Sequence, residues 1–489
     1  MKFLDRAREI EFLNSTLNRR HPTPANLLLI YGRRRVGKTL LLQEWSRQTG
    51  LPTLYMSFEK DPAALQRKKL AAQALGVSLD AAPNFPAWSE LWQWLARHWG
   101  LGAEDAPRRI LVLDEITYAS ESDPAMLSSL QHAWDAVYRN TNLSIALCGS
   151  HVHTMESIMT GGSPLFGRMT GQWHVQPFDF GVLKEALPGW SAEERIAAYA
   201  MVGGVPAYLD WLNPELGLIE NIRQVVLSPG GMFTAEPLFL LYDELETIHT
   251  YLAIIRSIGN GKATLDEISN DALVGKNNLT AYLARLQQLR IVERRLPATI
   301  PPSRIRIVRR GRYHLSDAFF RFYFEFLAPR PGEPVDDREA KLARVRANLR
   351  AFVGRTAFEQ LAQQWVRQQG LLGRLPLKPE VIGQHWSRQA QVDVVAINWA
   401  ERRILVGECK WTEDRIDRQV VRDLIDVKTP KLLLDMTADG AGSDWQVSYI
   451  FFARRGFTPA AQTEIQKAGA LAVDMVRLDA DLSIPYAMS

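Results

Sequence analysis

The apolar run Leu27-Leu28-Leu29-Ile30-Tyr31 leads into Gly32-Arg33-Arg34-Arg35-Val36-Gly37-Lys38-Thr39, and then into Leu40-Leu41-Leu42-Gln43-Glu44-Trp45. That order predicts a buried strand, a glycine loop and a helix. No other stretch constrains the chain as tightly, because the G-x-x-x-x-G-K-T spacing is the P-loop pattern. The glycines let backbone N–H groups turn inward around phosphate oxygens, and the positive end of the following helix favours the anion. Gly32 to Thr39, followed by Leu40, are read as the cradle of a nucleoside triphosphate, ATP. Lys38 would reach the β- and γ-phosphates, and Thr39 would place its hydroxyl on Mg²⁺. The alternative is a Gly-rich turn with a chance lysine, which leaves the strand before it and the helix after it unexplained.

A second run, Ile110-Leu111-Val112-Leu113-Asp114-Glu115, has the form of a Walker B strand. A buried parallel strand would carry Asp114 to the edge beside the P-loop, there to hold Mg²⁺. Glu115 would orient and deprotonate the attacking water. The pair of motifs is far more specific than either alone, and Glu115 favours hydrolysis over binding only. Leu143 to Ser150 reads as the next strand, with Ser150 at its tip as a polar sensor of the γ-phosphate. His151 and His153 follow, and without further ligands they read as a surface loop. Arg168 has two equal readings, a contact to the γ-phosphate in its own or a neighbouring subunit, or a structural surface arginine. Trp88, Leu91, Trp92, Trp94 and Leu95 form a helical apolar stripe, read as core. Gly203-Gly204-Val205-Pro206 breaks an otherwise helical stretch; it is a turn, and Pro206 could also lie against the nucleotide.

Phe3-Leu4-Asp5-Arg6 with Glu9, Gly32 to Thr39, Leu113-Asp114-Glu115, Gly149-Ser150, Gly167-Arg168 and Gly203 to Pro206 together resemble the archaeal-type ATPases of the STAND branch, close to AAA+ proteins. The resemblance spans the first half of the chain in order. It implies an added strand between the P-loop and Walker B strands. It also implies a lid motif at Gly204-Val205-Pro206 and an N-terminal box, Phe3 and Arg6, near the adenine.

At 489 residues the chain is long for one domain. Ile248–Ile258, Thr264–Ile268 and Asn277–Leu289 read as three helices, the second with a capping box at Thr264 and Glu267. Strand-like runs begin at Ile291 and at Arg304–Val308. Three helices and a hairpin describe a winged helix. Net charge is only +4, yet from Arg285 to Arg312 nine arginines (285, 290, 294, 295, 304, 306, 309, 310, 312) face one acid, Glu293. This basic wing, 285–312, suits nucleic-acid backbones, DNA first among them. The competing readings are a solvated hairpin, or a face packed on the acidic side of another domain. Lys276, Asn277 and Asn278 open the third helix. Asp317–Phe326 is read as a packing helix and Ala328–Pro334 as a linker.

In the C-terminal part, Gln391–Ile397 and Ile404–Trp411 read as strands carrying Asp393, Glu408 and Lys410. Alternation along Glu408-Cys409-Lys410 puts carboxylate and ammonium on one face. Asp393 and Glu408 could hold Mg²⁺ or Mn²⁺ through hard oxygen ligands, with Glu359 from a preceding helix completing the site. Lys410 would position water and stabilise charge on the phosphorus. With Phe358-Glu359, Ile382-Gly383 and Trp386, these residues resemble the PD-(D/E)xK nuclease fold, which archaeal-type ATPases often carry at the C-terminus. The departures are Gln391 and His385, where relatives often have Glu and Trp. The rival reading is a degenerate nuclease fold kept for binding.

The expectation is therefore an α/β chain in five parts. These are a P-loop NTPase core with a parallel sheet (1–178), a helical lid (179–240), a winged helix (241–315), a linker (316–345) and a second α/β, PD-(D/E)xK-like domain (346–489). The function expected is ATP hydrolysis coupled to DNA binding and metal-dependent cleavage. The alternatives are a switch whose last domain only binds DNA or protein, and an assembly switch without DNA. Homo-oligomers are compatible with the sequence. Two cysteines in apolar segments, Cys148 and Cys409, and no bilayer-length apolar run point to a cytoplasmic protein.

Overall fold

The computed structural model describes residues 3–19, 24–103, 105–245, 248–308, 310–330 and 337–484. The chain packs as two compact units. One comprises Met1–Pro177 with Val205–Ala207, the other Phe178–Gly204 with Tyr208–Ser489. Packing therefore divides the chain in two, where the sequence suggests five parts. Among the described residues no helix is long and apolar enough to cross a membrane.

The first unit is built on five strands, β1 (Asn26–Tyr31), β2 (Thr53–Ser57), β3 (Arg109–Asp114), β4 (Leu143–Gly149) and β5 (Gly171–His174). Their order is β2-β3-β4-β1-β5, and every pairing is parallel. β4 thus lies between the P-loop strand and the Walker B strand. Strands of this kind are covered on both faces, which is why β1 and β4 are apolar almost throughout rather than alternating. Their side chains divide between two cores. Leu27, Leu29, Leu111, Leu113, Ile145 and Leu147 pack with Trp88, Leu91, Trp92 and Leu95. Leu28, Ile30, Ile110, Val112, Ala146 and Cys148 pack with Leu13, Leu17, Leu41, Leu42 and Trp45. The tryptophan stripe is core, as its helical spacing predicts. Parallel pairing brings the C-terminal ends of β1, β3 and β4 to one edge, and the site forms there.

The second unit begins with helices, among them Ala192–Val202, capped by a reciprocal Ser191–Glu194 box. Ile248–Gly259, Leu265–Ala272 and Lys276–Gln288 follow, and the Thr264–Glu267 capping box forms. A hairpin comes next, β6 (Val292–Arg295) against β7 (Arg312–Leu315). The returning strand is therefore not Arg304–Val308, as the Arg/Ile alternation suggests. That run has no core to alternate against, with Ile305 and Ile307 46% and 72% exposed. The expected linker also holds structure. Phe319, Phe320, Phe322, Phe324 and Phe326 are buried, and the helix Arg338–Val353 follows. Pro331–Pro334 and Arg309 lie outside the described residues.

The last sheet has β8 (Val381–Trp386), β9 (Gln391–Asn398), β10 (Arg403–Lys410), β11 (Gln446–Ala453) and β12 (Leu471–Asp474) in the order β12-β11-β10-β9-β8. β8, β9 and β10 pair antiparallel; β10, β11 and β12 pair parallel. The helix Glu359–Leu371 precedes this sheet in the chain.

Candidate functional sites

At the edge of the first sheet the chain leaves β1 through Gly32, which has no room for a side chain. A Cβ there would stand 2.3 Å from the Val175 carbonyl oxygen. Gly37, just before the helix Lys38–Thr49, takes a left-handed φ of 86°. Arg35 does the same at 72°, uncommon for a residue with a side chain. The Lys38 ammonium is buried and donates to the carbonyls of Gly32 (2.8 Å) and Arg33 (3.1 Å) and to Ser150 Oγ (2.8 Å). Ser150 Oγ in turn donates to Glu115 Oε1 at 2.5 Å, and the Ser150 N–H to Glu115 Oε2 at 3.2 Å. Glu115 itself has a left-handed φ of 52°. Thr39 Oγ1 donates to Asp114 Oδ2 at 2.7 Å. The hydroxyl and carboxylate are hard oxygen donors side by side, and they fit Mg²⁺.

Tyr55 escaped the sequence reading, and Arg6 and Arg34, named there, have partners that it did not foresee. Tyr55 donates its hydroxyl to Asp114 Oδ2 at 2.6 Å. Burial, and then the Asp114 charge, push the Tyr55 phenol far up, so it stays a donor. Its one signal is its place on the strand that pairs with β3. Arg6 donates to Val36 O (2.8 Å) and Glu9 (2.7 Å), so this box braces the P-loop backbone. Arg34 donates to the Tyr118 hydroxyl at 2.6 Å. Val205–Ala207 belongs to this unit too: the Ala207 N–H donates to Arg35 O at 3.4 Å, and a Cβ on Gly37 would lie 3.9 Å from Pro206. Leu40 is exposed. Arg168 is spread over Asp135 (2.7 Å) and the carbonyls of Pro164 and Phe166. His151 and His153 join no metal-holding cluster among the described residues.

The second candidate site lies on β9 and β10. Glu408, 3% exposed, accepts from Lys410 Nζ at 2.7 Å and from Lys428 Nζ at 2.8 and 2.9 Å. Asp393 Oδ2 accepts the Cys409 N–H at 3.0 Å. Glu359 accepts from Gln384 at 2.5 Å. Burial, and then the Glu408 charge, push the Asp393 carboxyl up; burial, and then Asp393 and Glu408, push Glu359 up. On Lys410 burial works downward, but Glu408 outweighs it and the ammonium is held above its ordinary value. Asp393 and Glu359, both raised by burial and then by neighbouring carboxylate charge, are hard oxygen donors of the type a divalent cation takes. Among the described residues, however, no three His, Cys, Asp or Glu side chains are placed together to hold a metal. Neither Gln384 nor Lys428 has a sequence signal.

The basic hairpin loop lies along this domain. The Ala298 N–H donates to Gln384 O at 2.7 Å, and Thr299 Oγ1 meets His385 Nδ1 at 2.8 Å. Arg310 pairs with Asp439 and Arg312 stacks over Trp386. Part of the arginine run thus packs on another element, while Arg304 and Arg306 stay exposed. The charge of Arg295 reaches Glu359.

Residues 3–212 match an ATPase domain predominantly from Archaea, and residues 323–422 match DUF234, archaeal and bacterial proteins of unknown function. An uncharacterized protein of Methanocaldococcus jannaschii is 28% identical over 425 residues, 86% of this chain and 91% of its own length. An uncharacterized ATP-binding protein of the same organism is 46% identical over 43 residues, 9% of this chain and 68% of its own. Among solved structures, the Walker-type ATPase of Pyrococcus abyssi is similar at 19% identity and a TM-score of 0.44, covering 66% of this chain and 96% of that one. The ORC2 protein of Aeropyrum pernix is similar at 15% identity and a TM-score of 0.42, covering 72% and 96%.

Proposed function

We propose that this chain, an archaeal-type ATPase domain continued by a DUF234 domain, is an ATP-hydrolysing switch that controls nucleic-acid cleavage in its C-terminal α/β domain. The observation that carries the first half is the hydrogen-bonded chain Lys38–Ser150–Glu115 beside Thr39–Asp114. Thr39 and Asp114 would hold Mg²⁺, which supplies charge neutralisation on the phosphates. Lys38 exchanges the carbonyls of Gly32 and Arg33 for phosphate oxygens. Ser150 keeps Glu115 oriented, and Glu115 takes a proton from the attacking water. Val205–Ala207 lies against the loop, and the chain on either side of it belongs to the second unit, which makes this segment a reporter of the nucleotide state.

For the second half, Asp393 and Glu408 would hold Mg²⁺ or Mn²⁺, while Lys410 orients the water and offsets charge on the phosphodiester. The three helices and the hairpin read as a winged helix. Arg304 and Arg306, exposed on a loop that crosses the same domain, are suited to the nucleic-acid backbone. A second reading keeps the ATPase but has the last domain only bind nucleic acid or a partner. The occupation of both Glu408 oxygens by Lys428 favours it. The decisive measurement is cleavage of single- and double-stranded DNA and RNA with Mg²⁺ or Mn²⁺, with and without ATP. Lys410→Ala is expected to abolish cleavage and leave ATP hydrolysis unchanged. A wild-type protein that cuts none of these substrates leaves the binding-only reading.

A further inference from the structure

In the ladder of the β6–β7 hairpin, Arg295 stands directly opposite Arg312, and Glu293 opposite His314. Side chains two apart on a strand share a face, so all four lie on one side of the hairpin. Like charges directly opposite one another destabilise a sheet. A third guanidinium, Arg321 on the helix Ala318–Phe322, lies within reach of the charge on Arg295. His314 records the convergence. Burial, and then the charges of Arg295, Arg321 and Arg312, hold its imidazole down to about 3, so it stays neutral. Among the described residues Glu293 is the one carboxylate paired with any of these arginines, and it pairs with Arg295. Arg312 lies over the Trp386 ring, 5.0 Å from its centroid. Arg321 gives one of its five N–H donors to Gln360 Oε1 at 3.1 Å, and its Nε meets no acceptor among the described residues. Glu359 feels Arg295, but burial, and then Asp393 and Glu408, raise its carboxyl, so it offsets little of the surplus.

Resting on the reading that the C-terminal domain takes nucleic acid, with or without cleavage, we infer that Arg295, Arg312 and Arg321 form a phosphate-holding subsite that seats the strand beside the second candidate site. Three guanidinium groups against one carboxylate form a surplus of positive charge that the fold holds at a cost, and rules broken in this way collect at functional sites. The guanidinium fork matches the oxygens of a phosphate. All three arginines are only partly buried, so an anion can reach them. Their placement suits a strand running to Asp393 and Lys410. Gln360, the partner of Arg321, follows Glu359 in the chain, and Gln363 of the same helix donates to the Asp393 carbonyl at 3.1 Å. Trp386, under Arg312, is on β8, next to the strand of Asp393. The subsite is distinct from Arg304 and Arg306, which lie on the exposed loop between the two hairpin strands.

The test is fluorescence anisotropy of labelled oligothymidylate with the full-length, nucleotide-free chain in EDTA, over a range of salt. Arg321→Gln and Arg295→Gln are each expected to weaken binding about tenfold, the loss of one charge-assisted phosphate contact. Each is also expected to make the slope of log affinity against log salt shallower by about 0.7. Arg321→Lys keeps the charge without the fork, and is expected to keep the wild-type slope and regain part of the affinity. Strands with a 5′-phosphate and with a 5′-hydroxyl separate the two sources of phosphate. A loss on both assigns internal phosphodiesters, a loss on the first alone assigns the terminal phosphate, and the subsite stands in either case. Arg295→Gln carries the comparison if Arg321→Gln lowers the thermal midpoint. A weakened affinity with an unchanged salt slope is structural damage and overturns the contact. Wild-type affinity in both variants, with Arg304→Gln/Arg306→Gln still weakening binding, overturns the subsite and leaves the nucleic-acid reading standing. A wild-type chain that binds no strand overturns both.

Discussion

Glu115 stands in a left-handed conformation with both carboxylate oxygens on Ser150. A side-chain-bearing residue in that region stores strain of roughly 1–3 kcal/mol, and such strain collects at functional positions. On the proposed reading, this strain accompanies a general base whose direction is set before the water arrives. Glu115→Gln keeps the shape and one of the two Ser150 contacts but cannot take a proton. It is expected to bind ATP as the wild type does and to hydrolyse it about 10²–10⁴ times more slowly. A nucleotide-binding titration run beside a phosphate-release assay separates the two effects. Tyr55 shows what spacing along the chain cannot supply. Nothing in Leu54-Tyr55-Met56 marks it, and its bond to Asp114 exists because β2 pairs in register with β3.

At the scale of elements, the turn at Gly203–Pro206 is held by contact as well as by its glycines. A Cβ on Gly204 would lie 1.7 Å from the Phe178 carbonyl oxygen, and the Phe178 N–H donates to Gly204 O at 2.7 Å. Backbone on backbone cannot yield as a flexible side chain does. Gly204→Ala is therefore expected to cost about 1–3 kcal/mol or more. Chemical denaturation should show a lowered midpoint, and an unchanged midpoint would mean that the two backbones can separate freely. The hairpin is the element where pattern misled. Arg304–Val308 alternates like a strand, but alternation specifies a strand only where one face is buried. β7 forms instead at Arg312–Leu315, where Tyr313 and Leu315 are buried and the Tyr313 N–H bonds Ala263 O at 2.7 Å.

Across the second unit, the helix Ala192–Val202 is tied to the C-terminal domain by two ion pairs, Arg195–Asp479 at 2.6 Å and Arg454–Glu193 at 2.5 Å. Arg195 and Asp479 are nearly buried. Removing one partner of a buried pair leaves the other charge uncompensated and costs about 3–5 kcal/mol, whereas replacing both by apolar groups can be nearly neutral. Arg195→Met alone is thus expected to be strongly destabilising, and Arg195→Met with Asp479→Leu to regain most of the loss. A double-mutant cycle on unfolding free energies measures the difference, and additive losses would remove the pair from the account. This helix leads directly into the Gly203–Pro206 turn.

The P-loop, the Walker B strand, the tryptophan stripe and the strands of Asp393 and Glu408 were legible in the sequence, because each depends on residues close along the chain. Period two and period 3.6 tell which residues share a face, and glycine spacing tells where backbone must turn. Which face meets which distant segment is decided by packing. Only the tertiary structure could put Tyr55 on Asp114, Arg6 on the P-loop backbone, Gln384 on Glu359 and Lys428 on Glu408. It also turned part of the arginine run onto Asp439 and Trp386. Those partners lie far apart along the chain, where neither propensity nor spacing carries information. Burial made each of them necessary, since a charge taken out of water must find its partner wherever the fold delivers one.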